Sequence, residues 1–207
     1  NTRRSVGGEN DSEPRQLARY IKEQADKYGK DLKGFGVMMI YRRDRYGRGG
    51  DHIPFVERGF SAIRITESHE DYTHQHQNVR TENGKFYGDT PEYVDFDYTA
   101  NVARVNLIAL AGLASAPAKP KNVGIITAGL TNDTVLKWDA NKEADLAGYE
   151  VVWRDTTAPE WTHGVSVGNV TTYTAKEMSK DNYFFGVRAV DKAGNKSPVV
   201  YPRPMRN

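Results

Sequence analysis

The sequence predicts two folded units, an α/β unit followed by an all-β sandwich. Over the first 114 residues, helical periodicity alternates with short apolar runs, whereas after residue 121 short segments alternate with a period of two. Residues 115–121 (SAPAKPK) separate the two patterns and are too polar to be core. We therefore place the α/β unit over residues 1–114, a hinge-like linker over 115–121 and the sandwich over 122–207.

A helix is predicted near the start of the first unit. Asp11 or Ser12 can cap it, and Pro14 needs no amide partner in a first turn. Apolar residues then recur at helical spacing from Leu17 until Gly29, which can end the helix in the left-handed conformation.

Two short apolar runs in the first unit are predicted to be strands. Residues 37–41 (VMMIY) form a continuous apolar run, which is typical of a strand buried on both faces of a parallel sheet. Residues 62–66 form the second strand, after a turn of helix at 54–58. Residues 67–91 show little periodicity and predict a long loop, and a long helix over 92–113 closes the unit.

The second unit is predicted to be an antiparallel sandwich. Short runs with period-two alternation are separated by Asn, Asp and Gly turns, and six or seven strands of this kind form a sandwich. The predicted strands span residues 122–127, 134–138, 148–154, 171–175, 183–190 and 198–201. Trp138 is predicted to be core, whereas Trp161 is the tryptophan expected to be exposed.

Composition limits the classes of function. A net charge of +2 gives no reason to expect a nucleic-acid partner, and no apolar stretch is long enough for a membrane span. With 0 cysteines, any metal must be held by histidines and carboxylates. The chain lacks an initiator Met and a visible signal peptide, so we expect a fragment or processed product of a secreted or periplasmic protein.

Four of the five histidines fall within one short window of the chain. Imidazole and carboxylate are the ligands that a catalytic zinc ion prefers, and the same window holds several acidic residues. The sequence therefore predicts metal chemistry here. The window contains His52, His69, His74, His76, Asp51, Glu67, Glu70 and Asp71.

Motifs in and around this window occur in a recognisable order. They are residues 49–55 (GGDHIPF), 59–62 (GFSA), Glu67, and 72–74 (YTH) followed by Asn78. Together they resemble the C-terminal half of co-catalytic di-zinc aminopeptidases, a family that includes bacterial leucyl aminopeptidases and, more distantly, glutaminyl cyclases. In that family an Asp-His-x-x-Phe element, a Gly-x-Pro-Ala turn, an acidic residue and a Tyr-His-Thr-x-x-Asp element follow in this order.

The resemblance implies a zinc peptidase that removes N-terminal residues from a peptide or protein substrate. Two zinc ions about 3.5 Å apart would activate a water molecule and polarise the scissile carbonyl. His74 is the implied zinc ligand, with His76 as a second candidate, and Tyr72 would donate to the oxyanion. The other ligands would all precede Asn1, so the present chain alone should be inactive.

The same resemblance implies a substrate pocket near the first motif. Asp51 would contact a substrate amine or orient a ligand, and Phe55 and Phe60 would line an apolar specificity pocket. By contrast, the cluster of Arg42, Arg43, Arg45 and Arg48 is interpreted as a solvated loop edge.

The second unit resembles a fibronectin type III module. The resemblance rests on residues 136–138 (LKW), 148–154 (GYEVVWR) and 183–191 (YFFGVRAVD). Such modules fold without disulfides and can attach a protein to a polysaccharide, a cell surface or another protein.

Two other functions stay open at this point. In the first, the chain is a non-catalytic binding module whose sandwich attaches to glycan or protein. In the second, it belongs to a glutaminyl cyclase-like enzyme, because cyclases also use the Asp-His-Ile-Pro-Phe string at residues 51–55.

Overall fold

The computed structural model describes residues 11–32, 34–41, 46 and 48–206. In the first unit the elements are α1 (Glu13–Tyr28), α2 (His52–Glu57), β1 (Arg80–Glu82), β2 (Lys85–Tyr87), a 3-10 turn (Pro91–Tyr93) and α3 (Phe96–Ser115). In the second they are β3 (Gly124–Ile126), β4 (Thr134–Lys137), β5 (Leu146–Asp155), β6 (His163–Gly168), β7 (Thr172–Ala175), β8 (Tyr183–Asp191) and β9 (Arg203–Met205). Among the described residues, no helix combines the length and apolar character needed to cross a bilayer.

Helices α1 and α3 pack together and form the core of the first unit. The prediction of α1 is confirmed at both ends, with Ser12 at the N-cap position and Pro14 in the first turn. The predicted left-handed stop at Gly29 is wrong, because its φ is −90°. The Gly29 amide donates to Ala25 O at 2.7 Å, so the helical hydrogen-bond pattern continues to this residue. The buried core residues of this pair are Ile21, Ala25, Val105 and Ala109.

The two strands predicted in the first unit are wrong. Residues 37–41 and 62–66 have no regular strand structure, and neither pairs with a strand among the described residues. A buried strand of a parallel sheet is paired with other strands and covered on both faces. Residues 37–41 lack such pairing, and Met38 and Ile40 are 69% and 51% exposed. The described part of the first unit is therefore helices with one hairpin, rather than the predicted α/β sheet.

The predicted long loop contains that hairpin. Strands β1 and β2 pair antiparallel, and Asn83 and Gly84 join them with φ values of 51° and 77°. Two positive φ values are what a type I′ turn requires, and Asn-Gly is the dipeptide that best adopts it. Helix α3 is confirmed but begins later than predicted, because the Asp95 side chain accepts from the Tyr98 amide at 2.8 Å and caps the helix there.

The second unit is a two-sheet β-sandwich, as predicted. One sheet has the order β7-β4-β3-β9 and the other β6-β5-β8. Strand β6 was not predicted, and the last predicted strand is wrong. Residues 198–201 form no strand and bridge to β8 only at Val200 with Val187, whereas the final strand, β9, pairs parallel with β3. The fully buried core includes Leu136, Tyr149, Val151, Phe185 and Val187, with Trp138 at 5% exposure.

The linker packs against the sandwich. Pro117 and Pro120 are buried. The side chain of Asn141 donates to Ala118 O at 2.8 Å, and the Asp139 amide donates to Lys121 O at 2.9 Å. The sandwich therefore satisfies two backbone carbonyls of this segment.

Helix α1 also contacts the outer face of the three-stranded sheet. Arg19 Nε donates to Pro159 O at 2.8 Å, and Trp161 Nε1 donates to Gln16 Oε1 at 3.1 Å. The guanidinium of Arg154, which is fully buried, lies 5.2 Å from the Trp161 ring. The prediction that Trp161 is exposed is therefore wrong, since the indole is half-buried between the two units.

Candidate functional site

His74 is the most enclosed of the predicted site residues. Its ring stacks on Tyr93 with centroids 3.4 Å apart and an interplanar angle of 7°, and Phe86 lies alongside at 5.9 Å. Its Nδ1 is 3.0 Å from Gly88 O. A carbonyl can only accept, so Nδ1 carries the hydrogen, and the neutral ring has its lone pair on Nε2. The side chain is 12% exposed, and Nε2 is 3.9 Å from Asp71 Oδ2.

The carboxylate of Asp71 caps the turn that leads to His74. Asp71 Oδ1 accepts from the Thr73 amide at 2.9 Å and from the Thr73 hydroxyl at 2.6 Å. The hydroxyl bond, followed by the amide bond, holds the pKa of Asp71 below its ordinary value. Asp71 therefore stays ionised at neutral pH and presents a second oxygen toward His74.

His76 differs from His74 in both exposure and backbone. It is exposed, and its φ of 53° lies in the left-handed region, which is uncommon outside glycine, although histidine, asparagine and aspartate adopt it more often than other residues. Its amide lies 3.3 Å from Asp89 Oδ2. The Gly88 amide donates to Thr73 O at 3.1 Å, so the segment is attached to the start of the turn after β2.

The predicted oxyanion donor, Tyr72, is 62% exposed. Its backbone carbonyl accepts from Gln77 Nε2 at 3.2 Å, which closes the segment around the two histidines. Asn78 is exposed, and its carbonyl accepts from Arg80 Nη1 at 3.3 Å. Tyr72, His74 and His76 thus share one compact segment, with the Tyr72 side chain largely exposed at its surface.

The predicted substrate residues lie at the surface of the described structure. Asp51 is exposed at the N-cap of α2, and Phe55 and Phe60 are 59% and 64% exposed. The apolar specificity pocket implied for the two phenylalanines stays a prediction. His52, the neighbour of Asp51, and Ala62 of the second motif line a cleft.

That cleft, with a volume of about 250 Å³, lies between the two extended segments of the first unit. Its walls are residues 35–40 and 62–66, with side chains of α1 and α3 forming the rest. Thr66 lines it, and the Thr66 hydroxyl is 3.4 Å from Glu70 Oε1. The cleft is thereby connected to the segment that carries the histidines.

The role of one residue of the site was missed by the sequence analysis. Arg48, interpreted there as part of a solvated edge, forms an ion pair with Glu70, whose side chain is only 5% exposed. Arg42, Arg43 and Arg45 lie outside the described residues. No sequence signal separated Arg48 from its basic neighbours, because its partner is 22 residues away in the chain.

Among the residues that the structure describes, no group of three or more histidine and acidic side chains could hold a metal ion. The donor types at the segment, an imidazole with a nearby ionised carboxylate, suit zinc, but a complete site takes three or four protein ligands. The described part of the chain can therefore contribute ligands and does not build a full zinc site.

Comparison with curated proteins shows similarity along nearly the whole chain. The chain is 52% identical over 202 residues to a probable zinc metalloprotease of Pyrenophora tritici-repentis (strain Pt-1C-BFP), covering 98% of this chain and 41% of that protein. Probable zinc metalloproteases of Leptosphaeria maculans and Pyricularia oryzae are 52% and 49% identical, again over 98% of this chain. The chain spans only 46% and 41% of their lengths. No protein-family model matches the chain.

Comparison with solved structures finds fibronectin type III proteins. An Fn3-like protein from Clostridium thermocellum is 23% identical with a TM-score of 0.34, covering 41% of this chain and 86% of that one. The fn3 domain of the human collagen alpha-1(XX) chain is 17% identical with a TM-score of 0.35, covering 44% of this chain and 90% of that one.

Proposed function

We propose that this chain is the C-terminal part of a secreted or periplasmic zinc aminopeptidase, and that it supplies one histidine ligand and an oxyanion donor to the active site. The observation that carries the proposal is the similarity to probable zinc metalloproteases over 98% of the chain, which includes the whole histidine segment. The donor types of that segment support it, because zinc is bound by imidazole and carboxylate in proteins without cysteine.

In this proposal His76 is the zinc ligand and His74 holds the segment in place. The exposed ring of His76 can approach an ion, whereas one face of the His74 ring is stacked on Tyr93. The positive φ of His76 fits this role, because unusual backbone conformations often occur in ligand-binding segments. This reverses the order of the two candidates that the sequence resemblance implied.

A specific observation keeps His74 as the second candidate ligand. A zinc-binding histidine usually donates its other ring nitrogen to a carbonyl or carboxylate, which fixes the tautomer. His74 shows this arrangement, with Nδ1 on Gly88 O and Nε2 3.9 Å from Asp71 Oδ2.

The chemistry of the bound metal would be that of a Lewis acid, which polarises the scissile carbonyl and lowers the pKa of a water molecule. The side chains of this chain would act around it. The exposed phenol of Tyr72 can donate a hydrogen bond to the oxygen that becomes negative as the peptide carbonyl is attacked. The carboxylate of Asp51 can accept from the substrate amine, which would restrict cleavage to the N-terminal residue.

The test is metal content and hydrolysis in the intact protein. We expect about two zinc ions per chain and chelator-sensitive hydrolysis of aminoacyl p-nitroanilides. His76→Ala should remove zinc and activity, whereas His69→Ala, a matched control on an exposed histidine of the same loop, should leave both unchanged. A metal-free protein that binds glycan would contradict the proposal, and so would release of ammonia from N-terminal glutamine, which would identify a cyclase.

A further inference from the structure

The Arg48 side chain contacts three residues of the histidine segment at once. Its Nη1 forms an ion pair with the Glu70 carboxylate, and its Nη2 lies 3.0 Å from Gln75 Oε1. Its guanidinium carbon is 5.4 Å from the centre of the Tyr72 ring. The three contacted residues lie on both sides of His74 in the sequence.

We propose that Arg48 is a positioning residue, which fixes Tyr72 and the two histidines relative to the body of the first unit. The contacts themselves do not depend on the proposed function, but their effect on hydrolysis does. Gln75 is the residue between His74 and His76, so holding its side chain restricts rotation of the peptide groups that flank both imidazoles.

The geometry requires the guanidinium group rather than any cation. A guanidinium is planar and donates in fixed directions, so it can bond a carboxylate and an amide oxygen while its face lies near an aromatic ring. A lysine ammonium is a point charge and would satisfy only one of these contacts well. Hydrogen bonding to Glu70 raises the pKa of Arg48 above its ordinary value, so the group is charged at neutral pH.

Glu70 and the chain next to Arg48 both make further hydrogen bonds within the first unit. Glu70 Oε1 is 3.4 Å from the Thr66 hydroxyl, which lines the cleft. Next to Arg48, the Gly49 carbonyl accepts from Arg64 Nη1 at 2.7 Å. Arg48 therefore connects the histidine segment to the chain that leads into α2, where Asp51 and His52 lie.

Hydrogen–deuterium exchange on this chain tests the contacts without reference to catalysis. In Arg48→Ala we expect the amides of residues 70–78 to exchange about tenfold faster, because local opening becomes easier, while those of the sandwich are unchanged. Arg48→Lys should behave like Arg48→Ala. The control is Arg58→Ala, which removes an equal charge from an exposed arginine that follows α2 and whose Nη1 donates to Pro54 O of that helix at 3.1 Å. Unchanged exchange in Arg48→Ala, or full rescue by lysine, would overturn the proposal.

Kinetics of the intact protein test the consequence. Arg48→Ala should lower kcat by about 10- to 100-fold, the range for residues that orient a ligand, with KM and zinc content nearly constant. Faster exchange with unchanged kcat would overturn the positioning role. If the unmodified intact protein holds no zinc and hydrolyses nothing, the proposed function fails instead, and the exchange result stands by itself.

Discussion

Glu23 on α1 and Arg188 on β8 form an ion pair that joins the two units, with Arg188 Nη1 2.7 and 2.9 Å from the two carboxylate oxygens. The Arg188 side chain is 8% exposed, and its Nε also bonds Glu150. Burial alone would lower the pKa of Arg188, but the charges of Glu23 and then Glu150 outweigh it and raise the pKa above its ordinary value. The sandwich is thus attached to the first unit by a buried charge that needs both partners.

Removing Glu23 should destabilise the whole chain. Glu23→Ala leaves Arg188 with one carboxylate partner instead of two, and we expect a loss of about 1–3 kcal/mol in the free energy of unfolding. Chemical denaturation followed by tryptophan fluorescence measures it. Asp26→Ala is the matched control, because Asp26 pairs with Lys22 on the same helix at 2.7 Å, and such exposed pairs contribute about 0.5 kcal/mol or less. Equal effects of the two substitutions would contradict the coupling of the units.

A methyl group at Gly186 should crowd the side chains that pack on β8. A Cβ there would lie 2.3 Å from Val199 Cγ1 and 3.2 Å from two atoms of the Trp161 ring, so the side chains above β8 must shift. Overpacking of this kind costs about 1–3 kcal/mol, which a comparison of denaturation midpoints for Gly186→Ala would detect. Gly129→Ala serves as the control, because a Cβ at that position meets nothing within 4 Å among the described residues. A Gly186→Ala protein as stable as the control variant would contradict the close packing of Val199 and Trp161 on Gly186.

Glu150 should make stability depend on pH in the acid range. Burial alone would raise the pKa of Glu150, but Arg188 and Lys196 lower it below its ordinary value, and the unfolded chain has the ordinary value of about 4.3. Between the lowered and the ordinary pKa, Glu150 binds more protons in the unfolded chain than in the folded one. The stabilisation that ionised Glu150 contributes is therefore complete above the ordinary pKa and is lost as pH falls through the lowered one.

The measurement is the free energy of unfolding between about pH 3 and pH 7 for Glu150→Gln and the unmodified chain, a range set by these pKa values. We expect the variant to be less stable at neutral pH and to lose less stability on acidification. Glu57→Gln, at an exposed position on α2, should follow the unmodified curve. Parallel curves for Glu150→Gln and the unmodified chain would rule out a lowered pKa at Glu150.

Local patterns predicted the elements whose stabilising contacts are near in sequence or repeat regularly. The helix from Glu13 and the alternating strands of the sandwich are of this kind. The two apolar runs at 37–41 and 62–66 were predicted as strands from composition alone, but a strand also needs partners, and the described residues contain none for them. The hairpin at Asn83 and Gly84 had a clear signal, which the lack of periodicity around it obscured.

The candidate site was predictable only in its residue types. The density of histidines indicated where metal chemistry would lie, and the structure brings Tyr72, His74 and His76 together in one segment. The density of histidines could not indicate that the His74 ring stacks on Tyr93. That contact depends on how the hairpin of β1 and β2 places the turn that follows β2. Arg48 was likewise hidden, since an ion pair between distant residues leaves no periodic signal.

The two histidines should respond differently to substitution. His76→Gly removes an imidazole but relieves the positive φ, so the stability of the chain should stay constant or rise by about 1 kcal/mol. His74→Ala removes the stack on Tyr93 and the bond to Gly88 O, and should cost about 1–2 kcal/mol. Thermal denaturation of this chain measures both effects independently of any metal.

Zinc analysis of the same two variants in the intact protein then assigns the ligand. With His76 as the ligand, His76→Gly loses zinc although its fold is at least as stable as the unmodified protein, so the loss cannot be attributed to unfolding. His74→Ala should keep zinc at temperatures below its lowered midpoint, because the ligand itself is intact. The reverse pattern, with zinc retained by His76→Gly and lost from folded His74→Ala, would assign the ion to Nε2 of His74, beside the Asp71 carboxylate 3.9 Å away.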